Sequence, residues 1–317
     1  MKCWSKIHST TLRFARYDSE GYIKDLNKRY MFDLKKDVSL KDFCTFHIGG
    51  KAKFLFIANT NSELINVCSF AKAHNIKYKV IGLGANLLFD DLGYDGLIIV
   101  NKTNKILFKK NAIYCSSGIN VTNLIMKCYL RSLCGFECLS GIPSTVGGAV
   151  VNSLGAFNTN FCDFVEYVEC YHKNDLTKKL KLNRDECKFS YRSSLFKNGE
   201  YIITKVKLKL KYDDKILIKQ RIDNAIKKKT ETQPLGVASA GSVFKRSDII
   251  PAKVIDELGL KGTKIGGAEI STKHAGFIVN NTNATSKNVK DLIKIIQEKV
   301  KSATNEEIEP EIEFVEY

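Results

Sequence analysis

Proline is scarce in this chain, four residues in 317, and its 21 glycines follow no triplet period, which excludes a collagen-like fold. No apolar run approaches the roughly 18 residues that a membrane-spanning helix needs, so no membrane insertion is expected. The first 30 residues also lack the apolar core of a secretory signal. No Cys-x-x-Cys pair occurs among the ten cysteines. The five histidines, at 8, 47, 74, 172 and 274, show no ligand spacing, so no metal site is expected. Arginine is scarce as well, since 42 of the 50 basic residues are lysine and eight are arginine. Arginine is the better fork for bases and phosphates, and the basic residues are spread rather than gathered in one arm. Nucleic acid is therefore not an expected partner. With 34 acidic residues the net charge is still +16, which fits a solvated lysine surface or a positive field for an anionic small molecule.

Hydrophobic residues make up 44% of the chain and aromatics 10%, enough to bury a core. The length allows two or three domains. Several cysteines, Cys68 and Cys128 among them, sit in apolar runs, the pattern of buried reduced thiols in a cytoplasmic protein. Residues 1–36 show no core face and read as an N-terminal extension, acid-free up to Asp18 and faintly like a transit peptide. Residues 37–105 form a first unit: a strand over Lys53–Ala58, a capping box at Thr60/Glu63, a helix with Leu64, Ile65, Val67, Cys68 and Ala71 on its face, then strands at Tyr78–Ile81 and Leu97–Val100. Residues 106–212 form a second, with a helix marked by Val121, Leu124, Ile125 and Cys128 and an alternating strand over Tyr201–Leu210. Residues 213–317 form a third. It opens with a basic helix that points Ile222, Ala225 and Ile226 inward and stops at Pro234. Its last helix runs over about 286–302, and Ile308–Val315 reads as an edge strand.

Two glycine loops stand out. Gly82-x-Gly84 follows a strand but is not a Rossmann fingerprint, because the third glycine would fall at Leu87. It is read either as a tight turn or as an anion loop. The second, Gly141 to Gly148, is longer and stiffened by Pro143. Glycine lets backbone approach an anion closely, so two such loops point to a dinucleotide or a nucleotide sugar. Tyr191-Arg192-Ser193-Ser194 is either a surface turn or a clamp for a carboxylate or phosphate. Gly241-Ser242 has no neighbour that fixes a role, and it is not a hydrolase elbow. Periodicity and spacing alone stop at an α/β protein with anion-binding loops.

Seven stretches, in order, resemble one family, UDP-N-acetylenolpyruvoylglucosamine reductase. They are Thr45-Phe-His-Ile-Gly-Gly50, Gly82-Leu-Gly-Ala-Asn-Leu-Leu88, Gly141-Ile-Pro-Ser-Thr-Val-Gly-Gly-Ala-Val150, Tyr191-Arg-Ser-Ser194, Gln233-Pro-Leu-Gly with Ser239-Ala-Gly-Ser-Val-Phe-Lys245, Gly259 through Asn280, and Glu309-Pro-Glu311. The resemblance implies an α+β fold: a two-part FAD-binding domain of the vanillyl-alcohol-oxidase (PCMH) type and a C-terminal α/β substrate-binding domain, in the compact form of the family.

The resemblance also implies the chemistry. NADPH reduces FAD, and the flavin reduces the enolpyruvyl ether of UDP-N-acetylglucosamine enolpyruvate to the lactyl ether of a peptidoglycan precursor, with no obligate protein partner. By motif match Arg192, Ser242 and Glu311 are catalytic. Gly82, Gly84, Asn86, Leu87, Gly141, Ile142, Pro143, Thr145, Gly147 and Gly148 bind the cofactor. Tyr191, Lys245 and Arg246 bind substrate. Ser242 is the expected proton donor, and Glu311 beside a developing enolate needs either a proton or a bond to Arg192. The chain departs from the pattern at Ala85, at Ser144, around Ser153 and at Arg246-Ser247.

Overall fold

The computed structural model describes residues 32–317, and the expectations for the leading residues 1–31 lie outside it. In the first unit are β1 (Lys35–Ser39), β2 (Lys51–Ala58), β3 (Tyr78–Ile81), β4 (Leu87–Phe89) and β5 (Gly93–Asn101), with helix α1 (Asn61–Ala73) between β2 and β3. The sheet order is β1-β2-β5-β3, with β2, β5 and β3 parallel and β1 antiparallel at the edge. β5 is the central strand and is buried nearly throughout, as expected for a parallel strand covered on both faces. Because β1 begins at Lys35, it runs across the expected boundary after residue 36. α1 starts where the sequence places it: Thr60 accepts from the Glu63 N–H at 3.1 Å. The return bond of the capping box goes one residue further out, from Asn59 N–H to the Glu63 carboxylate at 2.8 Å.

The second unit is built on β6 (Ile106–Lys109), β7 (Ala112–Ser116), β11 (Val165–His172), β12 (Asp175–Asn183) and β13 (Tyr201–Lys209), an antiparallel sheet in the order β12-β11-β13-β7-β6. Helices α2 (Val121–Tyr129) and α3 (Val146–Val151) cover one face. Short pairs join β8 (Leu133–Cys134) to β14 (Lys211–Tyr212), and β9 (Gly155–Ala156) to β10 (Thr159–Asn160).

The basic helix is α4 (Lys215–Thr232), and it differs from expectation in two ways. It seats Ile218 and Ile222 in the core of the second sheet rather than opening a separate unit. Ile226 is exposed, and the inward stripe is Ile218, Ile222, Ala225 and Lys229. A spacing of 4, 3 and 4 keeps one helical face. Lys229 occupies the inward position that the apolar pattern assigned to Ile226.

The third unit carries β15 (Ser239–Ser242), β16 (Lys264–Ile265), β17 (Ala268–Ile270) and β18 (Phe277–Asn280) in the order β15-β18-β17-β16, with helices α5 (Pro251–Glu257) and α6 (Ser286–Thr304). α6 buries Val289, Leu292, Ile293, Ile296 and Val300, the stripe visible in the sequence. Its apolar side shares one continuous core with the first sheet. The tail is not a simple edge strand. Pro310 bridges to Phe244, and β19 (Glu313–Val315) then runs parallel to β4. Among the described residues no helix is long and apolar enough to cross a membrane, and nine cysteines are free thiols.

Leu292 is fully buried where α6 meets the shared core. Leu292→Ala is expected to cost about 2–5 kcal/mol by lost transfer energy and cavity formation. Urea unfolding checks this: the midpoint falls while the slope stays the same.

Candidate active site

The two glycine loops meet. Gly82 lies against Thr145, and a Cβ at Gly82 would collide with the Thr145 Oγ1. Gly84 sits at φ 62°, where a side chain is strained, with the Phe43 carbonyl filling the space of a Cβ. Gly141 is also left-handed, at φ 80°. Ile142 packs against the second core, and Pro143 is exposed at the loop tip.

The amides at the end of the second loop are already spent. Val146 N–H donates to Ile119 O at 2.8 Å and Gly147 N–H to Ser117 O at 2.7 Å. Gly148 N–H donates to the Thr145 hydroxyl at 3.2 Å. Gly147 and Gly148 therefore allow close approach rather than donate. Beneath them lies a buried network that sequence reading missed. Asn101 Nδ2 donates to Ser117 Oγ at 2.8 Å, Ser117 donates to Ile203 O at 2.6 Å, and Thr103 donates to Asn101 Oδ1 at 2.7 Å. Buried polar groups are tolerable when each is paired, and paired they hold the loop rigid.

Asn86 and Leu87 turn the first loop toward the C-terminal tail. Asn86 Nδ2 donates to Glu311 O at 3.1 Å, and Glu313 N–H donates to Asn86 O at 2.9 Å. Leu87 pairs with Glu313 as β4 meets β19. The same tail reaches the Ser242 loop, where Glu311 N–H donates to Val243 O at 2.6 Å and Lys245 N–H to Glu309 O at 3.0 Å. Ser242 follows a bulge at Ala240-Gly241, with Gly241 at φ 80°. A bulge re-aims the side chain after it. Among the described residues the Ser242 hydroxyl makes only a long contact to Phe244 O, at 3.5 Å, so its proton is weakly held.

Arg192 completes the cluster. Its Nε lies 2.8 Å from Glu311 Oε1, and the two side chains are 19% and 16% exposed. The Nε–H is not aligned on that oxygen and has no hydrogen-bond partner of its own among the described residues. The contact is therefore a partly desolvated charge pair with donor capacity left over. Arg192 sits at φ 53°, an unfavourable region for a long side chain. It is held there by the Ser190–Ser193 bridge on either side and by Lys197, whose Nζ donates to Arg192 O at 3.3 Å and to Asn152 Oδ1 at 3.0 Å. Desolvation, reinforced by Lys245 and Arg192, outweighs Glu313 and Glu311 and lowers the Lys197 pKa below the ordinary lysine value. Lys197 was not singled out in the sequence. Its only signal there is its place three residues after the Tyr191–Ser194 turn.

The remaining substrate candidates line the same rim. Tyr191 is exposed, and its hydroxyl accepts from Arg246 N–H at 3.1 Å. Lys245 is paired with Glu309 at 2.8 Å, a contact that an incoming anion can compete for because Glu309 is largely exposed. The Lys245 amine lowers the Glu309 pKa by direct bonding. Ser144 donates to Thr145 O at 3.0 Å, and buried Ser153 accepts from Asn160 at 3.0 Å, so both departures from the family pattern are accommodated locally. Among the described residues no cluster could hold a metal.

Known proteins resemble the chain over most of its length. Residues 52–178 match an FAD binding domain, and residues 233–315 match the C-terminal domain of UDP-N-acetylenolpyruvoylglucosamine reductase. The chain is 38% identical to the reductase of that name from Pseudothermotoga lettingae over 289 residues, 90% of this chain and 99% of the relative. It is 40% identical to that of Thermotoga petrophila over 274 residues, 84% and 93% of the two chains. The crystal structure of the Thermus caldophilus reductase superposes with a TM-score of 0.76 at 32% identity, covering 89% of this chain and 98% of that one. The fold is accordingly α+β, a PCMH-type FAD-binding portion followed by the reductase C-terminal domain. On these matches, the chain belongs to the UDP-N-acetylenolpyruvoylglucosamine reductase family.

Proposed function

We propose that this chain catalyses the NADPH-dependent, FAD-mediated reduction of UDP-N-acetylglucosamine enolpyruvate to UDP-N-acetylmuramate, a step of peptidoglycan precursor synthesis, with Arg192, Ser242 and Glu311 as its catalytic residues. The observation that carries the assignment of residues is the convergence of these three, from three separate sequence stretches, on the tail segment Glu309–Glu311.

The residues present fit FAD. Gly82 and Gly84 let the first loop pack tightly on Thr145 and Phe43, and left-handed Gly141 stays open where a side chain would stand. Next to Gly141, Ser140 is 1% exposed and its hydroxyl has no hydrogen-bond partner among the described residues, a polar group in want of a ligand. Residues 82–88 and 140–148 would hold the cofactor. Bound there, FAD supplies the two-electron chemistry that links NADPH to the enolpyruvyl double bond.

The chain's own residues handle charge and proton. Addition of hydride to the methylene carbon pushes negative charge toward the substrate carboxylate. Arg192, fixed in place and short of one acceptor, meets that charge where it develops. Glu311 neutralises Arg192 before substrate arrives. Ser242 gives its weakly held proton to the carbon next to the carboxylate, so hydride and proton together saturate the double bond. Tyr191, Lys245 and Arg246 receive the anionic sugar nucleotide at the rim. A cytoplasmic place of work suits the free thiols of the nine described cysteines, eight of which have pKa values raised chiefly by burial. The reading calls for no protein partner.

Two measurements test this. Stopped-flow of the purified flavoprotein separates flavin reduction by NADPH from flavin reoxidation by the enolpyruvyl sugar nucleotide. Ser242→Ala is expected to slow reoxidation by about 10²–10⁴ and leave reduction near normal. Equal loss in both halves would make Ser242 structural. Arg192→Ala is expected to slow reoxidation by about 10²–10³. The second measurement is FAD affinity of Gly82→Ala. The added methyl meets Thr145, and overpacking of about 1–3 kcal/mol should weaken FAD about tenfold or more.

A further inference from the structure

Lys229 is the most buried lysine of the described residues, 1% exposed, on the apolar stripe of α4. An ammonium there carries a desolvation cost that a methionine or leucine would avoid. Its surroundings show what the charge is directed at. Nζ donates to Ser140 O at 2.5 Å and to Cys138 O at 3.1 Å, the two carbonyls that lead into Gly141. The Lys229 stem runs beneath Gly141, with Cδ 3.8 Å from where a Cβ would stand. The Phe157 ring lies 5.1 Å from Nζ. The unpartnered Ser140 hydroxyl belongs to the same turn.

The amine therefore holds the entrance of the second glycine loop from the side of α4. Two carbonyls and a ring face balance only part of an ammonium's charge. An anionic ligand in the loop would balance the rest. We propose that Lys229 is the positioning residue for the cofactor: it fixes the Ser140–Gly141 backbone, and its charge is completed by the diphosphate-bearing FAD. This rests on the reading of the glycine loops as the FAD site.

Without an anion, desolvation brings the Lys229 pKa down from 10.5 to about 8, against a small opposing effect of Cys138. The charged groups around it are already engaged or alike in sign. Lys228 also lies over the Phe157 ring, Glu137 on the facing turn is taken by Arg221 at 2.6 Å, and Lys273 bonds Thr230 O. The sign follows. In the free protein the amine is charged at pH 7 and neutral well above 8. If the bound anion raises its pKa, binding above pH 8 takes up a proton. Affinity then falls with rising pH, by at most about tenfold per unit between the two pKa values. Folding stability runs the other way, since a lysine depressed in the folded state favours folding more as pH rises from 8 to 10.5.

The test is FAD titration of the full-length deflavinated protein between pH 7 and 10, followed by flavin fluorescence, with thermal unfolding beside it. Wild type should hold its affinity to about pH 8 and then lose it. Lys229→Arg, which cannot lose its charge, should stay within a few-fold of wild type at pH 7 and keep that affinity to higher pH. Lys229→Met should bind about tenfold or more weakly at pH 7 with no lysine-dependent slope. Comparing slopes removes any titration of the flavin itself. If both variants keep the wild-type slope, the proposal falls while the FAD reading stands. If wild type binds no FAD at all, both fall together.

Discussion

Glu311 is the residue on which the site's geometry hangs. Its N–H is bound to Val243 in the third unit, its carbonyl to Asn86 in the first, and its carboxylate to Arg192 in the second. Three pieces of chain with separate sheets are thereby held to one another within a single residue. The pair with Arg192 is partly desolvated, where a lone charge would be costly and a matched pair is tolerable. Removing either partner does more than delete a contact, because the other charge is left behind in a place with little water. The same pair supports the left-handed backbone of Arg192, a strained conformation that persists only where neighbours over-determine it.

The cores explain why those three pieces arrive together. The first and third units share one hydrophobic core, to which the parallel sheet gives Ile98 and Leu55 and α6 gives Leu292 and Ile296. β19 then adds itself to β4, so the tail cannot shift without breaking a strand pairing. The second unit has its own core but is fastened at the loops, Gly82 on Thr145 and Arg192 on Glu311. The glycine loops and the Arg192–Glu311 pair therefore lie where the two separate cores adjoin.

Periodicity carried most of the elements. Tyr78–Ile81 and the helix beginning at Val121 fall where the pattern puts them, because burial on one face leaves a spacing that can be read directly. The site was legible only through the order of its motifs. Nothing local in Gly241-Ser242 or Glu309-Pro-Glu311 says what each does, since their meaning comes from contacts between distant segments. Two features escaped the pattern for physical reasons. Lys229 sits in a stripe that hydrophobicity assigns to Ile226, because a long side chain can run through a core and bond carbonyls at its tip. The network of Asn101, Thr103 and Ser117 is invisible because small polar residues look like any turn until they are buried together.

The scarcity of arginine acquires a meaning once the contacts are known. Arg221 bridges Glu137 and Asp213 at 2.6 and 2.5 Å and Arg184 bonds Asp163, positions where a planar fork fixes the direction of a carboxylate, while Arg192 stands beside Glu311 as a charge pair. Lysines instead form mostly exposed pairs, such as Lys53 with Asp95 and Lys287 with Asp291, which add little to stability. What remains of their charge acts at a distance. A net charge of +16 draws in NADPH and a nucleotide sugar alike, both of them anionic, and does not distinguish between them. Under the proposed function, discrimination comes from the few places where a cation is held rigidly, and in the candidate site that place is Arg192. On the same reading, diffuse lysine charge sets how often anionic ligands arrive, and one constrained arginine sets which carboxylate is held at the reacting position.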